Sequence, residues 1–309
     1  MLRSVILAAA QSSSVERFVA TAPLSRTVVR RFVPGTTTGD VLRAARDLTA
    51  GGLRVTIEHL GEDTVLPEQA EEVRDTYLDL ISALAAAELA TGADLSLKLS
   101  ALGQRFDEDM AYDYARAICR AAQEAGATVT LDMEDHTTTD STLDILTKLR
   151  ADYPTTGVAL QAYLRRTEAD CRELATAGSR VRLCKGAYKE PESVAYQSAR
   201  EIDRSYVRCL KVLLAGEGYP MFATHDPRLI AIAVDRARWY DRGSDEFEFQ
   251  MVYGVRPEEQ LRLAGEGHTV RVYLPYGPQW FGYLIRRFAE RPANLGVFAR
   301  ALLARNSGN

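Results

Sequence analysis

The chain has 309 residues, 46% hydrophobic and 26% charged, an ordinary soluble balance that fits one large α/β domain or two small ones. Its net charge of −4, with no strongly basic half, argues against nucleic acid as a partner. Four scattered cysteines (Cys119, Cys171, Cys184, Cys209) form no CxxC pair and four histidines (His59, His136, His225, His268) stand apart, so neither a disulfide framework nor a metal site is expected, and a reducing cytoplasm suits the chain.

The first ten residues mimic a short signal peptide, but with one positive charge and about seven apolar residues they sit at its lower limit. A helix leading into Val15-Glu-Arg-Phe-Val-Ala is the better reading. No apolar run reaches the ~18 residues of a membrane-spanning helix. Arg26, Arg30 and Arg31 cluster near Val28, Val29 and Phe32, which fits lipid contact, a partner subunit or a solvated helix face. Leu42, Ala45 and Leu48 then fit a helix just ahead of the first strand.

From there, short apolar, β-branched segments recur at 55–60, 94–100, 128–133, 158–163, 181–186, 220–224, 248–253 and 270–274. Several read as continuously hydrophobic, as strands buried on both faces should. Helical periodicity fills the gaps, clearest over 67–89, 108–125 and 190–215, with Pro67 suited to a first helical position. Glycine breaks at Gly92, Gly126, Gly178, Gly216-Glu-Gly218 and Gly265-Glu-Gly267 fit helix C-caps. Strand, helix and glycine stop, eight times over, is the grammar of a (βα)8 TIM-type barrel. Residues 1–50 become an N-terminal helical extension and 51–309 the catalytic barrel. A doubly wound sheet is weakened by the strand count and by the lack of a GxGxxG turn after the first strand.

Active sites of such barrels lie at the C-terminal ends of the strands. There the sequence delivers Lys98, Asp132, Gln161, Arg182, Lys185, His225 and Tyr273. Each has a plain structural reading. Lys98 can snorkel, Asp132 can cap a loop, Arg182 and Asp132 can form a structural ion pair, Gln161 and His225 can be satisfied core groups, and Tyr273 can be packing. Seven at one rim are harder to explain that way. After the last strand, Tyr283, Arg286, Arg287 and Glu290 share one face of a helix able to close over the mouth; taken alone they also read as a solvated basic face with an Arg286–Glu290 pair, but after such a rim the paired guanidiniums suit a small carboxylate. The rim counts more positive groups than acids, as a negatively charged cofactor and an anionic substrate would need. It lacks a nucleophile elbow, a Ser-His-Asp order and the two spaced carboxylates of a glycosidase.

The motifs Ser96-Leu-Lys98-Leu-Ser100-Ala-Leu-Gly103, Asp132-Met-Glu134-Asp135, Leu160-Gln161-Ala162-Tyr163, Arg182-Leu-Cys-Lys185-Gly-Ala-Tyr188, Ala223-Thr224-His225-Asp226, Phe249-Gln250-Met-Val-Tyr253-Gly254 and Tyr273 through Glu290 follow in register. In them the chain resembles the proline dehydrogenases, specifically the single-function bacterial type without a fused aldehyde dehydrogenase. The resemblance implies a distorted barrel with noncovalent FAD. It implies oxidation of L-proline to Δ1-pyrroline-5-carboxylate, electrons passing to a membrane quinone, and a separate pyrroline-5-carboxylate dehydrogenase downstream. A quinone acceptor would bring a cytoplasmic protein into peripheral contact with the membrane.

By the same resemblance Lys98, Arg286 and Arg287 hold the proline carboxylate, and Tyr273, Tyr283, Tyr188 and Val252 wall the ring. Arg182, paired with Asp132, lies at the reactive edge of the flavin. Met133, Gln161, Cys184, Lys185, Gly186, Thr224 and His225 contact FAD, and Lys185 serves its pyrophosphate. Glu62 is placed to pair with Arg286 and latch the closing helix. Val252 stands where many relatives carry Leu, which loosens the pocket, and Cys184 where Val is expected. Rival readings are 4-hydroxyproline oxidation, which Tyr273 disfavours by crowding the ring, another flavin barrel such as a folate reductase, and a carboxylate-binding barrel without cofactor.

Overall fold

The computed structural model describes residues 31–61 and 64–284. Eight parallel strands close into one barrel in chain order: β1 (Arg54–His59), β2 (Asp94–Leu97), β3 (Thr128–Leu131), β4 (Gly157–Gln161), β5 (Arg180–Cys184), β6 (Tyr219–Ala223), β7 (Glu248–Val252) and β8 (Thr269–Tyr276). Helix α1 (Thr38–Ala50) precedes β1 and packs on β1 and β8. The strands then alternate with α2 (Pro67–Ala86), α3 (Glu108–Glu124), α4 (Thr139–Asp152), α5 (Thr167–Leu174), α6 (Ala199–Ala215), α7 (Pro227–Trp239) and α8 (Pro257–Gly265). After β8 the chain is helical again over 280–284, where the described residues end. All eight expected strands are present, and the fold is a TIM-type (βα)8 barrel.

Local chemistry sets the element boundaries. Thr37 caps α1 by accepting from the Asp40 amide while the Asp40 carboxylate accepts from the Thr37 amide. Pro67 opens α2, and the Gln69 side chain accepts from the amides of Val65 and Leu66. Gly216 ends α6 for a steric reason: its φ of −81° is ordinary, but a Cβ there would stand 2.4 Å from the Ala175 carbonyl oxygen. The final strand outlasts the expected 270–274 because β8 pairs with β1 from Arg54↔Arg271 to His59↔Tyr276, which closes the barrel.

Two expectations are corrected. The stretch 190–215 is not one helix: α6 starts only after Ser198, whose hydroxyl accepts from the Glu201 amide. Residues 190–198 instead fold back on the β4–α5 loop through an Ala195–Leu164 bridge. Nor are most strands continuously hydrophobic: β4 and β6 are, over 158–160 and 220–223, but the rest are not. Residues such as Val55, Ile57, Leu95, Leu97, Val181, Leu183, Phe249 and Val272 form the apolar layer against the helices. The positions between them, among them Thr56, Asp94, Ser96, Thr130, Arg182, Glu248, Gln250 and Arg271, are buried polar groups bonded to one another across the barrel. Both faces are buried, but the inner one is ionic.

Candidate active site

Arg182 is the hub of that interior. Its position on β5 aims the guanidinium across the barrel, where it donates to Asp132 Oδ1 at 2.6 Å, Ser96 Oγ at 2.8 Å, Gln250 Oε1 at 2.6 Å and Asp94 Oδ2 at 3.2 Å. Burial alone would lower its pKa, but Asp132 and then Asp94 outweigh burial and raise it, so the charge is permanent. Tyr273 on β8 lies with its ring 5.3 Å from the guanidinium carbon and donates its hydroxyl to Asp132 Oδ2 at 2.8 Å. Burial first, and Asp132 second, push that phenol well above its ordinary pKa, so it remains a donor. Asp132, one residue beyond β3, therefore ties three strands together with both carboxylate oxygens occupied.

Lys98 follows β2 at the same end and forms an ion pair with Glu58 of β1. Both are deep: their side chains are 12% and 2% exposed. Glu134 accepts from the Ser100 amide at 3.1 Å and hydroxyl at 2.7 Å, and burial, only partly offset by these bonds, raises its pKa. Gln161, buried at the end of β4, donates to the Glu134 carbonyl at 2.7 Å.

On the far side of the mouth, β5 ends in Cys184, whose thiol burial pushes up to about 12, an inert group. Lys185 is 36% exposed on its side chain and meets Asp203 at 2.6 Å and Asp226 at 3.2 Å. Gly186 has φ 115°, and a Cβ there would lie 2.3 Å from the Tyr163 ring, so only glycine fits. Thr224 accepts from the Asp226 amide at 3.1 Å. His225 Nε2 accepts from the Val252 amide at 2.9 Å, which makes Nε2 the unprotonated nitrogen and ties the ends of β6 and β7.

Most of the expected residues thus converge. Val252 and Tyr273 stand opposite each other on β7 and β8, and Val252 packs with Tyr283, Leu60, Val33 and Trp280. Met133, just past β3, is buried in the apolar layer. Tyr188 lies on the β5–α6 loop, 38% exposed. Arg286, Arg287 and Glu62 lie outside the described residues, as do Arg26 and Arg30. One expectation changes sign: among the described residues the mouth is not dominated by cations. Lys98, Arg182 and Lys185 each face a carboxylate, from Glu58, from Asp132 and Asp94, and from Asp203 and Asp226.

The interior partners Glu58, Asp94 and Gln250 were not among the expected site residues. Their signal is present in the sequence as a charge or amide inside an otherwise apolar strand, as in Thr56-Ile-Glu58-His and Phe249-Gln250-Met. Such a group has to find a partner once buried.

A family model described as proline dehydrogenase matches residues 41–300. Proline dehydrogenase 1 of Bacillus subtilis is 37% identical over 303 residues, covering 98% of this chain and 99% of that protein. Proline dehydrogenase of Deinococcus radiodurans is 36% identical over 308 residues, covering 98% of each. Among solved structures, proline utilization A from Bdellovibrio bacteriovorus, inactivated by N-propargylglycine, superposes with a TM-score of 0.79 at 25% identity. That match covers 85% of this chain but only 32% of the larger protein.

Proposed function

The chain belongs to the proline dehydrogenase family, and from that premise we propose that it oxidises L-proline to Δ1-pyrroline-5-carboxylate with FAD as cofactor and a membrane quinone as acceptor. The observation that carries the reading is the Arg182–Asp132–Tyr273 constellation beside Lys98 at the C-terminal mouth of the barrel. The residues fit the cofactor. The part-exposed Lys185 ammonium at the end of β5 suits a pyrophosphate, and Gly186 beside it lets the backbone pack tightly on the Tyr163 ring. Met133, Gln161, Cys184, Thr224 and His225 would complete the cradle. When bound, FAD supplies the two-electron redox chemistry.

The protein's own residues hold and orient. Lys98, with Arg286 and Arg287, would grip the proline carboxylate by charge-assisted bonds. Tyr273, Tyr283, Val252 and Tyr188 would wall the ring, so that orientation accounts for much of the rate. Arg182 keeps a fixed positive charge where negative charge develops. The anchored Tyr273 hydroxyl keeps its ring from swinging aside, which favours proline over 4-hydroxyproline by about 1–3 kcal/mol, the usual worth of one steric contact. The product would pass to a separate pyrroline-5-carboxylate dehydrogenase. Residues 1–50 are retained in this reading as an extension to the barrel at 51–309. Quinone reduction would call for peripheral membrane contact; no helix of the described residues is long and apolar enough to cross a membrane.

The test is the visible spectrum of the purified chain loaded with FAD, followed without oxygen as L-proline is added. Flavin bands that bleach with proline, and more slowly with trans-4-hydroxy-L-proline, are expected. Bands that bleach with NADH and not with proline would point to a folate-reductase type of chemistry, and failure to bind FAD would reject the assignment.

A further inference from the structure

A second line of buried polar groups meets Arg182 from the side opposite Asp132. Gln250 lies on β7, two strands from β5, with Met221 of β6 between them. Its Oε1 accepts from Arg182 Nε at 2.6 Å. Its Nε2 donates to Glu248 Oε1 at 2.6 Å and reaches Met221 Sδ at 3.2 Å. Glu248 in turn takes a two-point grip from Arg271, at 2.7 and 3.1 Å. Gln250, Glu248, Arg271 and Arg182 are all buried.

The amide can sit only one way round. A carboxylate accepts and a guanidinium donates, so the NH2 must face Glu248 and the carbonyl oxygen must face Arg182. Glu248 is kept ionised because Arg271 overcomes the burial that would raise its pKa. It therefore polarises the amide and strengthens the acceptor presented to Arg182. Asp132 holds the guanidinium through Nη1 and Gln250 through Nε, so the plane is fixed from two directions. A carboxylate at position 250 would cancel part of the arginine's field, and beside an ionised Glu248 at 2.6 Å it could not keep both contacts without sharing a proton. The neutral amide fixes the plane and leaves the charge.

We propose that Gln250 is a positioning residue for Arg182, its amide oriented by Glu248 so that it fixes the guanidinium plane without neutralising the guanidinium charge. The consequence for the cofactor rests on the proposed function; the positioning itself does not.

Two variants of the full chain test it. In Gln250→Met, which keeps length and loses both hydrogen bonds, hydrogen exchange at Arg182 Nε is read by nitrogen-15 NMR before FAD is added, the signal being identified by its loss in Arg182→Lys. At least tenfold faster exchange than in the wild type is expected. In the swapped Glu248→Gln/Gln250→Glu variant, which keeps one amide and one carboxylate but sets the carboxylate on Arg182, two-electron reduction of bound FAD at pH 8 should become about tenfold less favourable, a fall of about 30 mV in midpoint potential. There kcat for proline should drop while KM stays within twofold. Unchanged exchange in the first variant, or an unchanged potential in the second, overturns the proposal. If one variant does not fold, the other decides. If the wild type does not bind FAD, the proposed function fails while the exchange measurement still judges Gln250.

Discussion

Lys98 has a structural role in the barrel and a second role in the proposed function, and a pair of substitutions can separate them. Its ammonium neutralises a carboxylate, Glu58, that is almost wholly removed from water, and in the proposed function it also grips the substrate carboxylate. Removing one partner of a buried pair leaves the other charge uncompensated, at a cost of about 3–5 kcal/mol. Lys98→Met should therefore lose about 3 kcal/mol in urea unfolding. It should also raise KM for proline by roughly tenfold or more, the worth of a charged hydrogen bond at about 1.5–3 kcal/mol. Replacing both partners by apolar groups of similar size is often close to neutral. Lys98→Met/Glu58→Met should then recover most of the stability and none of the affinity for proline. A double variant that regains its KM would show that Lys98 serves the barrel alone.

The β5–α6 connection behaves as a strap anchored by one buried acid. Glu190 accepts from the His136 amide at 2.9 Å and the Tyr163 hydroxyl at 3.3 Å and pairs with the His136 ring. The Tyr196 amide donates to the Tyr163 carbonyl at 2.8 Å and the Arg165 amide to the Val194 carbonyl at 2.9 Å, so the strap lies along the β4–α5 loop. Tyr163, held by Glu190, is the ring that packs against Gly186. Glu190→Ala would strand the His136 amide and the Tyr163 hydroxyl, for a loss of about 2–3 kcal/mol. Urea unfolding should show that loss, and amides 187–197 should exchange faster; protection equal to the wild type would mean the strap holds by its backbone alone. None of this was legible in the sequence, where 190–215 has the composition of one helix. The local signal at the true start of α6 is the N-cap Ser198, whose hydroxyl accepts from the Glu201 amide and donates to the Glu201 carboxylate, and it passed unread inside the longer helical composition. The partners of Glu190 lie 27 and 54 residues away, and no local pattern announces them. The strands were legible for the opposite reason. Val, Ile and Leu on the helix-facing side mark six of them, Phe222 marks β6, and Phe249 and Met251 mark β7, with glycine stops between most of them. The ionic inner face was visible only as charges interrupting those runs, without any sign of who pairs with whom.

An ionic interior makes the whole barrel answer to acid. In the described core, Glu58, Asp94, Asp132 and Glu248 stand against Lys98, Arg180, Arg182 and Arg271. Asp94 is the most connected acid. It accepts from the hydroxyls of Thr56, Thr128 and Thr130 at 3.1, 2.7 and 3.0 Å and meets Arg180 and Arg182 at 3.3 and 3.2 Å. Burial would raise its pKa, but Arg180, Arg271 and Arg182 together hold it at about 2, below the 3.8 of a free aspartate. The sign follows directly. A carboxyl that ionises more readily in the folded state adds stability above its unfolded pKa and loses it as pH falls through the folded one. For Asp94 the contribution is on the order of 2 kcal/mol, roughly half of it gone by pH 3. Glu134 runs the other way: burial raises its pKa, so its share is greatest in acid and declines as pH rises through the folded value. Substituting Asp94 alone separates the two. Asp94→Asn should cost about 3–5 kcal/mol at pH 7, because three arginines lose their shared counter-charge. The deficit should narrow by about 1 kcal/mol between pH 7 and pH 3, as the wild type gives up what the variant never had. Urea unfolding of both proteins at pH 7, 5, 4 and 3 reads that difference with all other groups in common. A deficit that stays constant or widens toward pH 3 would mean that Asp94 is not ionised in the folded barrel, and the charge balance of the interior would then have to be met without it.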